Sequence, residues 1–526
     1  MAKSYRPVLR DQPMLLPVDM REWLPEDHLA WFVLETVEVL DLAGLERVRR
    51  LGGAGRAGYD PRMLFALLVY AYCMGVRSSR AIERLCGTDV AFRVLCAQDA
   101  PDHCTIARFR AAAAGAFEDL FTQVLQVAAR SGLARFGTVA IDGTKIAANA
   151  SIDANRGRDW LARQVKEMVA DADRVDAAED AGDGPVVADR AAGMDRSGRR
   201  ERITAAAAQV EADLAARSGA DEAAERAALE RRRRSEAGQP VRGRIPKGPH
   251  HLAEARAHLA REVAIHQAKL DRYAGLIAAG KKPMGRPPLP MEDTARVRRA
   301  RAVVAAAEAA EAAEEQPEQG EPGKRSAARF PSVTANTTDP QSRVMPTRKG
   351  YLQGYNVQVA VTGDHLIAAV TVTQSPNDQS SLLPMMRAAV DAAAGCHAVT
   401  GDDTHQVGVV LADAGYAREA NLAAPGPDRL IALSTRRDQA RAATASATSG
   451  PPPPGATPRQ AMQHRLRTPA GAALYKRRGA TVEPVIGNLK TILDRFARRG
   501  LTAATSEIHL AALAHNLLKL HRAAAA

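Results

Sequence analysis

Three acidic residues, Asp142, Asp413 and Glu483, are the side chains best suited to carry chemistry in this sequence. Asp142 and Asp413 each end a short apolar run that predicts a buried strand, and Glu483 lies in a helical run rich in Lys and Arg. Carboxylates at strand ends and on a facing helix can converge although they are far apart in sequence. Two divalent metal ions about 3.5–4 Å apart neutralise the charges of phosphodiester chemistry, and Mg²⁺ takes oxygen ligands. We therefore expect the three acids to hold two Mg²⁺ or Mn²⁺ ions.

Each of these acids also has a plain structural interpretation. An Asp at a strand end is often only a turn residue, and a Glu in a basic helix usually forms a surface ion pair. Asp402 and Asp403 are alternatives for the second acid, although they lie in a Gly-flanked turn. Asp153 is an alternative for the first acid, and the nearby His405 is more typical of a structural residue than of a metal ligand.

The chain is strongly basic, with a formal net charge of +12 over 526 residues and a pI of about 9.7. Residues 455–526, which surround Glu483, hold twelve Lys and Arg against three acids. This balance favours a polyanionic partner, although ribosomal and membrane-surface proteins are basic too. Arg478 and Lys490 could face phosphates there, and Tyr475 could stack on a base or form a hydrogen bond.

The sequence predicts a cytoplasmic protein without a membrane span. It contains no apolar run of about 18 residues, and its polar N-terminus lacks the apolar core of a signal peptide. Its five cysteines form no CxxC pair, which favours buried thiols over a zinc site.

The elements that must position these residues begin with an all-helical N-terminal domain over residues 1–135. Apolar residues recur there at helical spacing, and three short helices are expected at 78–85, at 89–96 and after residue 102. The third of these helices carries Arg108. Short helices with tight turns and basic residues suit a helix-turn-helix DNA reader, and they suit a plain helical bundle equally well.

A mixed sheet flanked by helices is expected next, which makes the fold class α/β. Residues 136–155 hold its first strand, ending at Asp142. Residues 331–435 hold a hairpin, a helix and two further strands, the first of which ends at Asp413. These two segments are the first two parts of a predicted catalytic core.

Three further segments complete the predicted organisation. Residues 156–330 are charged and Ala-rich, which predicts a long helical insertion after the first strand. Residues 281–288 of the insertion resemble an AT-hook that would place Arg286 in a minor groove, with a Pro-rich basic linker as the alternative. Residues 436–470 predict a disordered loop, and residues 471–526 a helical end of the core.

Several short motifs add a family resemblance. An Ile-Asp-Gly-Thr-Lys run at 141–145 and an Ala-Asp-Ala-Gly-Tyr run at 412–416 contain the two aspartates. Asp339-Pro, a Gly-Tyr-Asn-Val-Gln run at 354–358 and Asn377-Asp378 lie between them. With these motifs and its N-terminal stretches, the chain resembles bacterial insertion-sequence transposases of the DDE superfamily, which share a ribonuclease-H-like catalytic core.

The third motif of that superfamily is Tyr, two residues, Arg, three residues, Glu, six residues, Lys. Tyr475 and Arg478 keep this spacing, and so do Glu483 and Lys490, but four residues separate Arg478 from Glu483. One extra residue rotates Arg478 by about 100° relative to Glu483 on a helix. The resemblance therefore supports a phosphate contact by Lys490 more strongly than one by Arg478.

The resemblance implies an enzyme that cuts the ends of its own element and joins them to target DNA. Asp142 would bridge both metal ions, while Asp413 and Glu483 would each complete one metal site. Tyr475, Arg478 and Lys490 would hold terminal phosphates. The N-terminal domain with Arg108, and the AT-hook-like run with Arg286, would recognise the terminal inverted repeats.

The resemblance also implies a homodimer on DNA, because two ends must be joined, and nucleoid association while DNA is bound. A ribonuclease-H-like nuclease without strand transfer remains an alternative. A catalytically inactive DNA-binding descendant is the other alternative.

Overall fold

The computed structural model describes residues 19–46, 58–180, 190–237, 239, 251–281, 286–314, 333–348 and 350–525. The chain divides into two compact units, residues 1–206 with 335–526, and residues 207–334. The helices are α1 (Leu29–Val39), α2 (Ala43–Glu46), α3 (Pro61–Cys73), α4 (Ser79–Thr88), α5 (Val90–Leu95), α6 (His103–Ala112), α7 (Phe117–Arg130), α8 (Arg158–Asp180), α9 (Arg190–Glu236), α10 (His251–Ala278), α11 (Ala295–Glu314), α12 (Leu382–Thr400), α13 (Glu419–Ala423), α14 (Arg436–Ala445), α15 (Pro458–Arg467), α16 (Pro469–Ile492) and α17 (Leu501–Ala524). The strands are β1 (Thr138–Ala147), β2 (Asn155–Gly157), β3 (Thr334–Asn336), β4 (Arg343–Thr347), β5 (Gly350–Thr362), β6 (Ile367–Thr373), β7 (Val409–Ala412) and β8 (Asp428–Ile431).

The N-terminal region is helical, and short polar side chains begin its helices. Asp60, Ser78, Asp89 and Asp102 each accept a hydrogen bond from a backbone amide in the first turn of α3, α4, α5 and α6. Such a cap satisfies an amide that the helix itself leaves without a partner. The three short helices predicted after residue 77 are therefore present, and their caps explain where they begin.

A mixed sheet with the order β4-β5-β1-β7-β8 forms the centre of the first unit, and β6 also pairs with β5. Strand β5 is antiparallel to β1, β4 and β6, which confirms the predicted hairpin. Strand β7 is parallel to β1 and β8 is parallel to β7. All four residues of β7 are buried, as expected for a central parallel strand covered on both faces.

Helix α17 packs against β6, α3 and α7. Asn516 fixes this helix to the sheet, because its Nδ2 donates to the Ile367 carbonyl at 2.9 Å and its Oδ1 accepts from the Ile367 amide at 2.8 Å. The predicted apolar stripe of the helix is confirmed by the buried residues Leu510, Leu513, Leu517 and Leu520.

Helix α16 contains Pro484, immediately after Glu483. Proline has no amide hydrogen, so the carbonyl one turn earlier, that of Ala480, loses its helical partner. The His365 Nε2 atom lies 3.1 Å from that carbonyl oxygen and can donate to it. A side chain from the β5–β6 turn therefore replaces the missing bond in the segment that carries Glu483.

Two helices form where the sequence predicts a disordered loop over 436–470. Helices α14 and α15 lie within this range. Thr457 and Gln460 form a capping box at the start of α15, and Met462 and Leu466 are buried. The buried side chains of Met462 and Leu466 and the capping box therefore stabilise α15, in a segment whose polar composition predicts disorder.

Two local expectations are wrong. Strand β1 continues past Asp142 to Ala147, because residues 143–147 go on pairing with β5, so Asp142 is not the end of the strand. Cys104 is exposed on α6, where the buried positions belong to Ile106, Phe109 and Arg110.

In the second unit, a small apolar cluster of Ala255, Val304 and Ala307 joins α10 and α11. Arg286 is exposed there, and residues 282–285 of the AT-hook-like run lie outside the described residues. In the part of the chain that the structure describes, no helix combines the length and apolar character needed to cross a bilayer.

Candidate active site

Asp142 and Asp413 follow the last pair of the parallel ladder between β1 and β7. The ladder between β1 and β7 closes with the pair Ile141 and Ala412, so each aspartate is the next residue of its chain segment. Asp413 also begins a short 3-10 turn, where its Oδ1 accepts from the Gly415 amide at 2.8 Å. Two carboxylates that are 271 positions apart in sequence are thus brought side by side by the register of one ladder.

Arg478 of α16 lies against the first of these acids. Its Nη1 atom donates to Oδ2 of Asp142 at 2.9 Å, and the two side chains are 14% and 18% exposed. Oδ1 of Asp142 accepts from the Gly143 amide at 2.9 Å. One oxygen of Asp142 is therefore held by a backbone amide and the other by a guanidinium.

The pKa values of this pair reflect burial and charge together. Burial raises the pKa of Asp142 and Asp413 raises it further, and these effects outweigh the opposing influence of Arg478. Burial lowers the pKa of Arg478, but the charge of Asp142 and its hydrogen bond to the guanidinium act in the opposite direction, and the pKa is raised overall. The site therefore brings two carboxylates together in a partly buried place, where Arg478 compensates part of their negative charge.

A third acid, Asp378, stands beside the two aspartates. Burial raises the pKa of Tyr416, and the charges of Asp378, Asp142 and Asp413 raise it further. This phenol thus remains protonated at neutral pH and surrounded by carboxylates. Tyr475 borders the site from α16, where burial raises its pKa as well.

Asp378 is the centre of a polar network on β5. Its Oδ1 accepts from Asn356 Nδ2 and Gln358 Nε2, each at 2.7 Å, and lies 3.3 Å from Lys145 Nζ. Tyr416 donates to Oε1 of Gln358. Buried polar groups that are all paired hold one another in a single geometry. The four motifs that contain these five residues therefore meet at one place.

Two glycines allow the carboxylates to come this close. A Cβ atom on Gly143 would lie 2.4 Å from Gln358 Nε2 and 2.5 Å from Asp378 Oδ1. A Cβ atom on Gly415 would lie 2.9 Å from Asp413 Oδ1 and 3.7 Å from Asp378 Oδ2. Asp378 therefore reaches from the network toward the turn that carries Asp413.

Glu483 is exposed on α16 and faces a different direction from Arg478. Five residues at about 100° each place Glu483 roughly 140° around the helix from Arg478. A cavity of about 430 Å³ is lined by Glu483, Arg478, Tyr475 and parts of α14 and α15. The extra residue in the third motif therefore agrees with the structure, in which Arg478 of α16 contacts Asp142 and Glu483 faces another direction.

The donor set at this site fits a hard divalent cation in part. Asp142 and Asp413 offer neighbouring carboxylates, the ligands that Mg²⁺ and Mn²⁺ prefer. Among the described residues, no group of three or more His, Cys, Asp or Glu is arranged to hold a metal ion. A cation on Oδ2 of Asp142 would take the place of the Arg478 guanidinium.

The remaining predicted residues lie on the surface. Lys490 is exposed on α16, about 10 Å along the helix from Glu483 and within about 20° of its direction. Arg108 is exposed on α6, and Arg286 is exposed in the second unit. Their DNA contacts stay predictions.

The alternative acids lie in local turns. Asp402 accepts from the Thr404 amide at 2.8 Å, and Asp403 is 92% exposed near His397. Asp153 accepts a hydrogen bond from the Ser151 hydroxyl at 3.3 Å. His405 is buried, and its Nδ1 lies 3.2 Å from the Ala134 carbonyl oxygen, which is a structural contact.

Sequence analysis assigned no role to Asp378, Asn356 or Gln358. One signal was present, since Asn356 and Gln358 are amides inside an otherwise apolar strand, and both are completely buried. A buried amide needs partners, so such a pair indicates a polar site at that point of the sheet.

Comparison with known proteins adds two family matches. Residues 18–112 match the family model described as Transposase domain (DUF772), and residues 445–521 match the one described as Transposase DDE domain. The second match contains Tyr475, Arg478, Glu483 and Lys490. No curated protein and no solved structure matches the chain.

Proposed function

We propose that this chain, which its two matched domains indicate to be a transposase of the insertion-sequence DDE group, cuts the DNA ends of its own element and joins them to target DNA. The observation that carries the proposal is the meeting of Asp142 and Asp413 at the end of one parallel ladder, with Arg478 hydrogen-bonded to Asp142. Neighbouring carboxylates at the end of a parallel ladder, beside a basic helix, suit phosphodiester chemistry.

The sheet supports a ribonuclease-H-like core. A central strand β1 has an antiparallel neighbour β5 on one side and the parallel strands β7 and β8 on the other. This arrangement agrees with the fold implied by the resemblance to DDE transposases. We propose Asp142 and Asp413 as the catalytic pair of such a core.

The proposed ligands of two Mg²⁺ or Mn²⁺ ions are Asp142 to both ions, Asp413 to one and Glu483 to the other. When bound, the ions would supply positive charge to the attacking, leaving and non-bridging oxygens of the phosphodiester. Asp378 would hold Lys145, Gln358 and, through Gln358, Tyr416 in place beside them. We therefore propose that Asp378 is a positioning residue.

Glu483 must turn toward the aspartates for this site to be complete. We propose that Arg478 exchanges its partner, releasing Oδ2 of Asp142 and binding a DNA phosphate instead. A guanidinium binds phosphate oxygens as readily as carboxylate oxygens, so the exchange conserves its hydrogen bonds. The Ala480 carbonyl contacts His365 in place of a helical amide, because Pro484 has none, so rotation of the segment that carries Glu483 would break one fewer backbone hydrogen bond.

The proposed DNA contacts extend beyond the acids. Tyr475 and Lys490 would hold terminal phosphates together with Arg478. Arg108 and Arg286 would contribute to recognition of the terminal inverted repeats. Joining two ends implies a homodimer on DNA and nucleoid association while the DNA is bound.

Strand transfer separates this proposal from a nuclease that only cuts. The test supplies the full-length protein with Mg²⁺, a pre-cut duplex carrying the element's own end and a supercoiled plasmid. The proposal predicts covalent joining of the end to the plasmid, and loss of joining in Asp413→Asn. Hydrolysis of the duplex without joining would indicate the nuclease, and no reaction by a folded, DNA-binding protein would indicate an inactive descendant.

A further inference from the structure

A basic cavity of about 670 Å³ opens beside α4 and α6, and none of the proposed catalytic acids lines it. Four arginines line this cavity, Arg77, Arg80, Arg110 and Arg495. Among the described residues of its lining, Asp494 is the single acid. A concave surface lined by several guanidinium groups and one acid favours an anionic ligand.

Arg110 is a buried residue of the cavity wall, and hydrogen bonds hold it in place. The residue is only 7% exposed, its Nη1 donates to the Arg77 carbonyl at 2.7 Å, and its Nη2 donates to Oγ of Ser79 at 3.3 Å. Within the described part of the chain, its buried Nε has no hydrogen-bond partner. Burying a guanidinium is costly unless negative charge compensates it. Glu507 supplies part of this compensation, since Arg110 opposes the rise that burial produces in the pKa of Glu507.

The charges around Arg110 remain positive after the internal ion pairs are considered. Arg77 pairs with Asp494, whose side chain is 72% exposed. Arg80 and Arg495 are exposed at the rim. Helix α4 begins at Ser79 in the wall of the cavity, so the positive end of a ten-residue helix adds to the arginines.

The cavity joins the two matched parts of the chain. Its walls come from residues 77–110 within the first match and from residues 494–497 within the second, with Asn149 between them. Glu507 holds the second wall in place, because its Oε2 accepts from the Ala497 amide at 2.8 Å and the Arg498 amide at 3.3 Å. An anion bound here would contact the helical N-terminal region and the catalytic region together.

We propose that this cavity binds a backbone phosphate of duplex DNA and fixes the duplex between the N-terminal helices and the catalytic region. The proposal rests on the proposed function only for its choice of DNA as the source of the phosphate. A guanidinium fork, serine and amide side chains and a helix N-terminus are the groups that hold DNA phosphates without reading bases. The cavity thus serves positioning and not sequence recognition.

The test measures binding of a 30-base-pair duplex to the full-length protein by fluorescence anisotropy over a series of salt concentrations, with EDTA present so that no cleavage occurs. The variant is Arg80→Gln with Arg495→Gln, which leaves the buried Arg110 intact. The control is Arg84→Gln, an exposed arginine of the same helix that does not line the cavity. The variant should bind the duplex about tenfold more weakly. Its plot of log K against log salt concentration should be less steep, by the amount that about one to two phosphate contacts contribute.

The control should bind as the wild type does. Equal affinity and equal salt slope for the variant and the wild type would overturn the proposal. Free phosphate is the alternative ligand of the cavity, and calorimetry with inorganic phosphate tests for it. If the wild type binds phosphate at millimolar concentration, the variant does not, and both bind DNA equally, the cavity is a site for free phosphate. If the protein binds DNA through the cavity but neither cuts nor joins DNA, the proposed function is wrong and the proposed phosphate site stands.

Discussion

Nη1 of Arg478 donates to Oδ2 of Asp142 at 2.9 Å, across a separation of 336 residues. This bond joins α16, the helix of the third motif, to β1 in the centre of the sheet. It also occupies an oxygen that a catalytic metal ion would need. The Arg478 guanidinium and the metal ion of the proposed reaction would therefore compete for the carboxylate of Asp142.

Arg478→Gln should tighten binding of divalent cations. Removing the guanidinium leaves Asp142 and Asp413 with uncompensated negative charge, so we expect the Kd for Mn²⁺ to fall about tenfold, equal to ~1.4 kcal/mol. Isothermal titration calorimetry with Mn²⁺, without DNA, measures this directly. Arg477→Gln, an exposed neighbour on the same helix, should bind Mn²⁺ like the wild type. Unchanged or weaker binding by Arg478→Gln would show that the two cations do not compete.

Gly143→Ala should disrupt the Asp378 network. The added Cβ would approach Gln358 and Asp378 to 2.4 and 2.5 Å, so both side chains must move and lose bonds. We expect the free energy of unfolding to fall by about 2–3 kcal/mol, as measured by urea denaturation. Gly137→Ala, immediately before β1, is the matched control, because its Cβ would meet nothing within 4 Å. Equal stability of the two variants would remove the steric argument.

His515 should make stability depend on pH below neutrality. Burial lowers the pKa of His515 to about 4, and its ring lies between the His365 carbonyl at 3.0 Å and the Asn488 amide at 3.2 Å. A neutral ring with its proton on Nε2 donates to the carbonyl and accepts from the amide. The pKa is depressed in the folded state, so this contribution is fully present above about pH 6.5 and is lost as the pH falls toward 4.

Between pH 7 and pH 4 the wild type should lose about 3 kcal/mol more stability than His515→Gln, which keeps a donor and an acceptor. Chemical denaturation at several pH values checks this difference. His521→Gln, at the C-terminal end of the same helix, should follow the wild type. Parallel pH profiles for His515→Gln and the wild type would refute the assignment.

Local signals were sufficient to predict much of the fold. Ser78, Asp89 and Asp102 begin short helices because their side chains accept amide hydrogens, and that property is visible in the sequence. The apolar runs before Asp142 and Asp413 predicted strands, and parallel pairing then placed the two acids together. These are inferences from one segment at a time.

Partners across the chain could not be predicted in the same way. Nothing local indicates that Arg478 binds Asp142, or that Asp378 bonds Asn356 and Gln358, because each contact depends on the packing of whole elements. The direction of Glu483 depends on the rotation of α16, which one inserted residue changes by about 100°. The sequence revealed the insertion but not which side chain would face the sheet.

The cleavage rate of Glu483→Gln tests whether Glu483 acts together with Asp142 and Asp413. The substrate is a duplex carrying the element's own end, with Mg²⁺, and DNA binding and thermal unfolding are measured alongside. We expect a loss of cleavage on the order of 1000-fold, equal to ~4 kcal/mol, with DNA binding and folding unchanged. Asp391→Asn, an exposed acid on α12, should cleave like the wild type. Cleavage by Glu483→Gln at the wild-type rate would contradict the claim that this residue acts with Asp142 and Asp413 in one site.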